Sequence, residues 1–432
     1  MIRVRRIAAA FMGLVVLATS ALASYTVVPG RSEPQQLRWK DGMVRIAISK
    51  SLSEQDGGIK NGSDIAVAIR NSLLLWENAA DIKFTIEATD ARNVSPSGVA
   101  GDGVSLITIA ASPENVLLFT KDPLGESART RVFYNRRGFI TEADIVLNPY
   151  QQFSTDGTAG TFDLEATLTH EIGHLLGLRH SSVLGAVMSE GMARNAGGVI
   201  ASERRVDLSD ADVAAARELY GFVDDVTECC SSISGKITQQ PSKSPSKPLS
   251  VWAEDNTNGR VVAHAETSAD GTYRLGGLSA GTYTIFWQNR DRSDSTHLGD
   301  LGTVRLGDNE DRTVNGKVAG ASHDLALSFI GLDSQLADSA ILIGNAREYT
   351  VYLGGRDFEL NDLRIEFNSP YFRAIPGSIK RHDLGEKLTA VSFLLSVDEE
   401  VPSGVYSLFL TGDDGILAAM VGGLKVPVRQ NL

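Results

Sequence analysis

Three of the chain's seven histidines fall within eleven residues, His170-Glu171-Ile172-Gly173-His174-Leu175-Leu176-Gly177-Leu178-Arg179-His180. Leu164, Leu168, Ile172 and Leu175 or Leu176 recur at the spacing of one helix face, which predicts a helix over 162–177 packed on a core. His170 stands two residues from Leu168, about 200° round such a helix, and is expected to point away from that core into open space. His174 follows one turn later on the same side, so two imidazoles can reach one ion at about 2.0–2.1 Å. The same face offers no third ligand. Gly177 can take the left-handed backbone that ends a helix and reverses the chain, which would bring His180 round. Three neutral ligands leave a fourth position for water, the arrangement of a catalytic rather than a structural zinc. Glu171, beside His170, can touch that water without binding the ion. Zinc brings the water's pKa to about 7, and the carboxylate takes the proton as hydroxide attacks a carbonyl. The short HExxH pattern alone is a modest signal, because exposed helix faces often carry His and Glu. The glycine and third histidine make it specific.

These side chains need a scaffold, and the sequence around them alternates between strands and helices. Val44–Ile48, Phe84–Glu87, Val104–Ala110 and Ala143–Leu147 read as strands. Ile65, Ile69, Leu73 and Trp76 space an amphipathic helix over Ile65–Ala79. A last helix, Asp210–Tyr220, has Ser209 and Asp212 placed for a capping box, Leu208 and Val213 for a hydrophobic staple, and Gly221 at its stop. Val213, Ala216 and Tyr220 are its expected buried stripe.

HExxHxxGxxH, with its glycine and third histidine, resembles the signature of the metzincin metalloproteases. Met188 follows His180 by eight residues and Ser181 stands directly after the third histidine, an interval similar to that of the matrixin branch. Taken alone, Met188 reads as core packing; the resemblance implies a methionine turn beneath the metal. Ile140–Asn148 and the Leu208–Gly221 segment are also similar to matrixin elements, and the likeness covers Leu37–Phe222. It implies a twisted sheet with three helices, a protein or peptide substrate lying extended along an edge strand within Ser127–Phe133, and a substrate pocket walled by the chain between Met188 and Asp207.

Two departures stand out. Animal matrixins hold a second, structural zinc through upstream histidines, whereas no histidine precedes His170 here and Val146 stands where one would be expected. They are also kept latent by a propeptide cysteine, and Ser24–Leu37 contains none. Calcium sites are frequent in the family; Asp102, Asp144 and Asp156 are loose candidates, and no calcium ligands are assigned.

Beyond Cys230 the pattern changes to short alternating strands broken by Gly, Asn and Asp: Ile233–Thr238, Leu249–Ala253, Arg260–Glu266, Tyr273–Leu275 and Thr282–Gln288, with a hairpin turn at Asp270-Gly271. Gln239–Pro248 has linker composition but reads in context as a loop inside a domain. The stretch from Val261 to Thr284 resembles the carboxypeptidase regulatory-like, transthyretin-type β-sandwich, and the last hundred residues resemble a bacterial immunoglobulin-type module. Families of both kinds serve as spacers or binding platforms. His264, His297, His323 and His382 are scattered singly and carry no expected chemistry. Cys229 and Cys230 are adjacent, so a strained ring, free thiols and an intermolecular bridge all stay open.

At the start, Arg3, Arg5 and Arg6 precede an apolar run from Ile7 to Ala23 that ends in Ala21-Leu22-Ala23. That is the layout of a secretory signal peptide cut before Ser24, and the run is shorter than the roughly 20 residues a bilayer span needs. The expected organisation is signal peptide 1–23, metal domain 24–228, first β-sandwich 229–319 and second β-sandwich 320–432, an α+β domain followed by two all-β ones. With 41 Lys and Arg against 53 Asp and Glu, the net charge of −12 argues against a nucleic-acid partner. A 42% hydrophobic, 22% charged composition suits a globular chain without stable membrane insertion.

The leading expectation is an exported zinc-dependent endopeptidase, secreted, periplasmic or at the cell surface, from a bacterial source. His170, His174 and His180 would hold the ion, Glu171 would act as base, and Met188 would floor the site. Two rivals differ in class: a surface-binding protein with a vestigial metal site, and a zinc amidase acting on cell-wall peptides.

Overall fold

The computed structural model describes residues 36–54, 58–95, 101–190, 195, 207–223, 230–239, 247–289, 298–318, 325–332, 336–356, 358, 363–383, 389–413 and 415–428. The proposed leader, Cys229, His297, His323 and most of the segment between Met188 and Asp207 lie outside them.

The first region runs β1 (Met43–Ser49), α1 (Ile65–Ala79), β2 (Lys83–Thr89), β3 (Ser105–Thr108), α2 (Pro113–Val116), β4 (Ala128–Tyr134), β5 (Ile140–Leu147), β6 (Phe153–Ser154), β7 (Phe162–Asp163), α3 (Leu164–Leu175) and α4 (Asp210–Tyr220). Five strands form one sheet in the order β2-β1-β3-β5-β4. The first four pair in parallel, and β4 runs antiparallel to β5 at the edge.

The amphipathic spacing placed α1 at its observed bounds. Asp64 accepts from the Val67 amide to cap it, and its apolar face, with Trp76 fully buried, lies on α3, where the Trp76 indole donates to the Thr169 carbonyl at 2.9 Å. Helix α3 is shorter than the expected 162–177, because Asp163 caps it and Phe162–Asp163 pairs with β6. It is also buried on nearly every side: every residue except His174 is buried. A helix sandwiched between α1 and β4 has no open face, so its polar residues are enclosed too.

After Cys230 come β8 (Ser231–Gln239), β9 (Leu249–Asp255), β10 (Val261–Glu266), β11 (Thr272–Leu278), β12 (Gly281–Asn289), β13 (Leu298–Leu306), β14 (Asp311–Thr313) and β15 (Gly316–Val318). They form two sheets, β10-β9-β12-β13 and β11-β8-β14 with β15 along β8. Ile233, Ile237, Val251, Ala263, Leu275 and Ile285, drawn from both sheets, make one shared core. Residues 326–426 build two further sheets around Val351, Leu353, Phe393, Leu395, Leu408 and Met420. Mixed helix and strand content in the first region and strands thereafter agree with an α+β assignment.

Helix α4 departs from the single buried stripe expected for it. Val213 and Tyr220 are only half-buried, while Ala211, Ala214, Ala215, Ala216 and Leu219 are buried. Ala215, Ala216 and Leu219 enter the core of the first region, Ala214 that of the β8–β15 region, and Ala211 a third cluster between regions. A stripe presumes one neighbour, and this helix has several. Alanines make that possible: a Cβ at Gly277 of β11 would come 1.9 Å from the Ala214 carbonyl oxygen, so the backbones touch.

Where the β regions meet, Trp252 stacks on Phe286 at 5.5 Å, and Phe286 meets the tilted ring of Phe409 at 4.9 Å. Glu254 is fully buried beside them, and burial raises its carboxyl to about 7 against the pull of Ser407, Trp252 and Asn368. A carboxyl raised on folding leaves stability untouched below its unfolded value near 4.5 and erodes it as pH climbs through about 7. Glu254→Gln is therefore expected to match the parent at pH 4 and to gain about 3 kcal/mol of unfolding free energy at pH 8. Denaturant melts at the two pH values check this; an equal effect at both would refute it.

Candidate metal centre

The residues from His170 to His180 bring three imidazoles to one point. The chain reverses at Gly177, whose φ is +97° and whose absent Cβ would sit 2.2 Å from the Leu37 carbonyl oxygen. The Leu178 amide then bonds the Gly173 carbonyl at 3.0 Å, closing the helix end. His174 Nε2 lies 3.1 Å from both His170 Nε2 and His180 Nε2. Ligand nitrogens around a tetrahedral ion with bonds of about 2.0–2.1 Å are separated by roughly 3.3–3.4 Å, so the three fit one zinc. Among the described residues they are the group of His, Cys, Asp or Glu that could hold a metal.

Tautomers follow from the other ring nitrogens. His170 Nδ1 lies 2.8 Å from the Val187 carbonyl oxygen, and His174 Nδ1 lies 3.0 Å from that of Leu178. A carbonyl only accepts, so these Nδ1 atoms carry the hydrogens and the Nε2 lone pairs face each other. His180 Nδ1 stands 3.5 Å from the Glu190 carboxylate. Burial, then the neighbouring His170 and His180, push His174 well below its ordinary value, which keeps it in the neutral form that binds metal. His170 is 8% exposed and not in open space as expected, because the Val187 turn covers it; His180 is the exposed member.

Glu171 is buried beside the cluster, and its carboxylate accepts a hydrogen bond from the Thr130 hydroxyl of β4. Burial dominates that bond and raises the carboxyl to about 7. Thr130 has no signature in the sequence: the edge strand was legible, its contact with Glu171 was not.

Met188 is buried against α3, 2% exposed, and Gly173 makes room for it, since a Cβ there would come 2.3 Å from the Met188 sulfur. Its carbonyl accepts from the Ser181 amide at 2.7 Å. Asp212 holds the turn from the far side, accepting from the amides of Val187 at 2.8 Å and Met188 at 3.1 Å. The capping box expected at Ser209 and Asp212 forms, so one carboxylate both caps α4 and fastens the turn. Its second role was invisible in the spacing.

The remaining sequence candidates lie elsewhere. Asp144 is buried near Glu142 and Arg131, and burial raises it to about 7; Asp156 pairs with Lys60; Asp102 accepts from the Val104 amide. These three aspartates do not form a metal group among the described residues. Val146 is buried with Val94, Leu118 and Phe119. Cys230 is disulfide-bonded, which removes the free-thiol alternative for it. His382 bonds Ser392, and His264 bonds Ser182 and Ser250.

Residues 127–221 match the matrixin family model. Metalloendoproteinase 1-MMP of Arabidopsis thaliana is 48% identical over 209 residues, 46% of this chain and 47% of that protein. Metalloendoproteinase 1 of Glycine max is 45% identical over 84 residues, 19% of this chain and 23% of that one. The chain thus spans less than half the length of these relatives. A major pilin subunit of Bacillus cereus aligns over 44% of this chain and 66% of its own at 14% identity with a TM-score of 0.16, too low to bear on the fold. The matches support a matrixin-like metalloprotease domain in this chain.

Proposed function

We propose that the chain is an exported zinc endopeptidase of the matrixin-like metzincin kind, with His170, His174 and His180 as the metal ligands and Glu171 as general base. The observation that carries this reading is the convergence of three Nε2 atoms next to a buried carboxylate that is not one of them. Zinc, when bound there, supplies Lewis acidity toward a carbonyl and toward water. Glu171 takes a proton from the attacking water and returns it to the departing amine nitrogen. Thr130 keeps the carboxylate in place, and Met188 supports the histidines from below without meeting substrate. β4 ends the sheet among the described residues, and its outer edge would offer backbone groups to an extended peptide, which would add as a further strand. The strand pairs after Cys230 are read as a transthyretin-type and an immunoglobulin-type β-sandwich. The leader at 1–23 is read as cleaved before Ser24.

Incubating the purified full chain with an unbiased peptide library tests the reading. Internal cleavage that stops with a chelator and returns with zinc is expected. Zinc binding without any cleavage would favour the surface-binding alternative, and cleavage confined to cell-wall peptides the amidase.

A further inference from the structure

The chain between His180 and Met188 carries both the third histidine and the turn below the metal, yet its apolar side chains belong to other regions. Val183 and Ala186, both fully buried, pack with Trp252, Phe286, Val405 and Val421, and Leu184 enters the core of the last two sheets. The Leu184 amide donates to the Val421 carbonyl at 3.0 Å. Packing here leaves no slack: a Cβ on Gly185 would come 2.8 Å from Val405 Cγ1. Next to the ligand itself, His264 of β10 is buried with Nε2 2.8 Å from the Ser182 hydroxyl and Nδ1 3.3 Å from that of Ser181. Ser182 also meets Ser250 of β9 at 2.6 Å.

We propose that His264, from the β-sheet region that follows the metal domain, is a positioning residue for the third metal ligand, His180. The imidazole bridges the two serines that directly follow His180, so it sets where the chain leaves the ligand, while the cluster around Val183 and Ala186 anchors the rest of the segment. The three regions then form one functional unit, in which the sheets complete the metal site. Loss of a partner bonded directly to a metal ligand costs roughly 10- to 100-fold in affinity, and His264, acting through the two residues beside His180, belongs at the lower end of that span. This inference rests on the three histidines binding zinc, and not on which bond the site hydrolyses.

Zinc dissociation constants of the full chain, measured by competition with a chromophoric chelator, test it, alongside thermal melts of the metal-free proteins. His264→Ala should weaken zinc binding about tenfold or more, and His264→Gln, which can still bridge hydroxyls, should stay within about threefold of the parent. Ile237→Val, buried in the same sheet region but remote from the segment, should lower the melting temperature and leave zinc affinity unchanged. If His264→Ala does not fold, Ser182→Ala cuts the same bond from the other side and carries the same expectation. Zinc affinity within twofold of the parent in His264→Ala, or in Ser182→Ala where it is used instead, or an equal loss in Ile237→Val, would overturn the inference. A parent chain that binds no zinc would overturn it together with the metal-site reading.

Discussion

Glu171→Gln is expected to lower kcat for peptide cleavage by about a thousandfold, inside the roughly 10²–10⁴ span of general acid–base contributions, with zinc affinity unchanged. Glutamine keeps the shape and the hydrogen bond with Thr130 but cannot take a proton from water. Because the carboxylate is not among the three converging nitrogens, its loss should leave the metal in place. The wild-type pH profile offers a second readout. Burial raises this carboxyl to about 7, a cation at the histidines draws it back down, and its base form is lost on acidification. The acid limb of kcat/KM is therefore expected between about 4.5 and 7, and to vanish in the variant. A Glu171→Gln protein that binds zinc and keeps more than a tenth of the parent's kcat would sink the assignment of Glu171 as base.

His174→Ala should abolish metal binding at micromolar zinc. Structural zinc sites with four ligands bind with about 10–16 kcal/mol, which spreads to roughly 2.5–4 kcal/mol per ligand. At 1.4 kcal/mol per decade, losing one of three ligands weakens binding by about 60- to 700-fold. His174 is the central member, 3.1 Å from each of the other two nitrogens, so the remaining pair no longer shares a common neighbour. Since zinc binds the folded protein and stabilises it by mass action, added zinc should raise the melting temperature of the parent and not that of the variant. Calorimetry with and without zinc reads this directly, and an equal zinc-dependent rise in both proteins would remove His174 from the ligand set.

Much of this was legible along the chain because it depends on local geometry. Helix spacing put His170 and His174 on one side, Gly177 allowed the turn that returns His180, and Ser209 with Asp212 marked the start of α4; each involves residues a few positions apart. The bounds of α1 followed from its apolar period alone. What escaped were contacts between residues remote in sequence. Thr130 reaches Glu171 across 41 positions, and His264 reaches Ser182 across 82. Neither pair carries a motif, because hydroxyls and single histidines are common everywhere.

Burial was the other quantity that periodicity misjudged. His170 was expected in open space and is covered by the Val187 turn; α4 was expected to bury one stripe and is enclosed on several sides. Periodicity reports which residues avoid water on one face, and it is silent once a second and third neighbour cover the remaining faces. By itself, then, the sequence determined the local make-up of the centre: three histidines, their spacing and the glycine that lets them converge. Tertiary structure alone decided the environment that tunes it. Glu171 is raised to about 7 because α3 is enclosed between α1 and β4, and the segment that follows His180 is anchored because distant sheets supply its core. Desolvation and packing depend on every chain segment that arrives at a place, and that sum is written in no single stretch of residues.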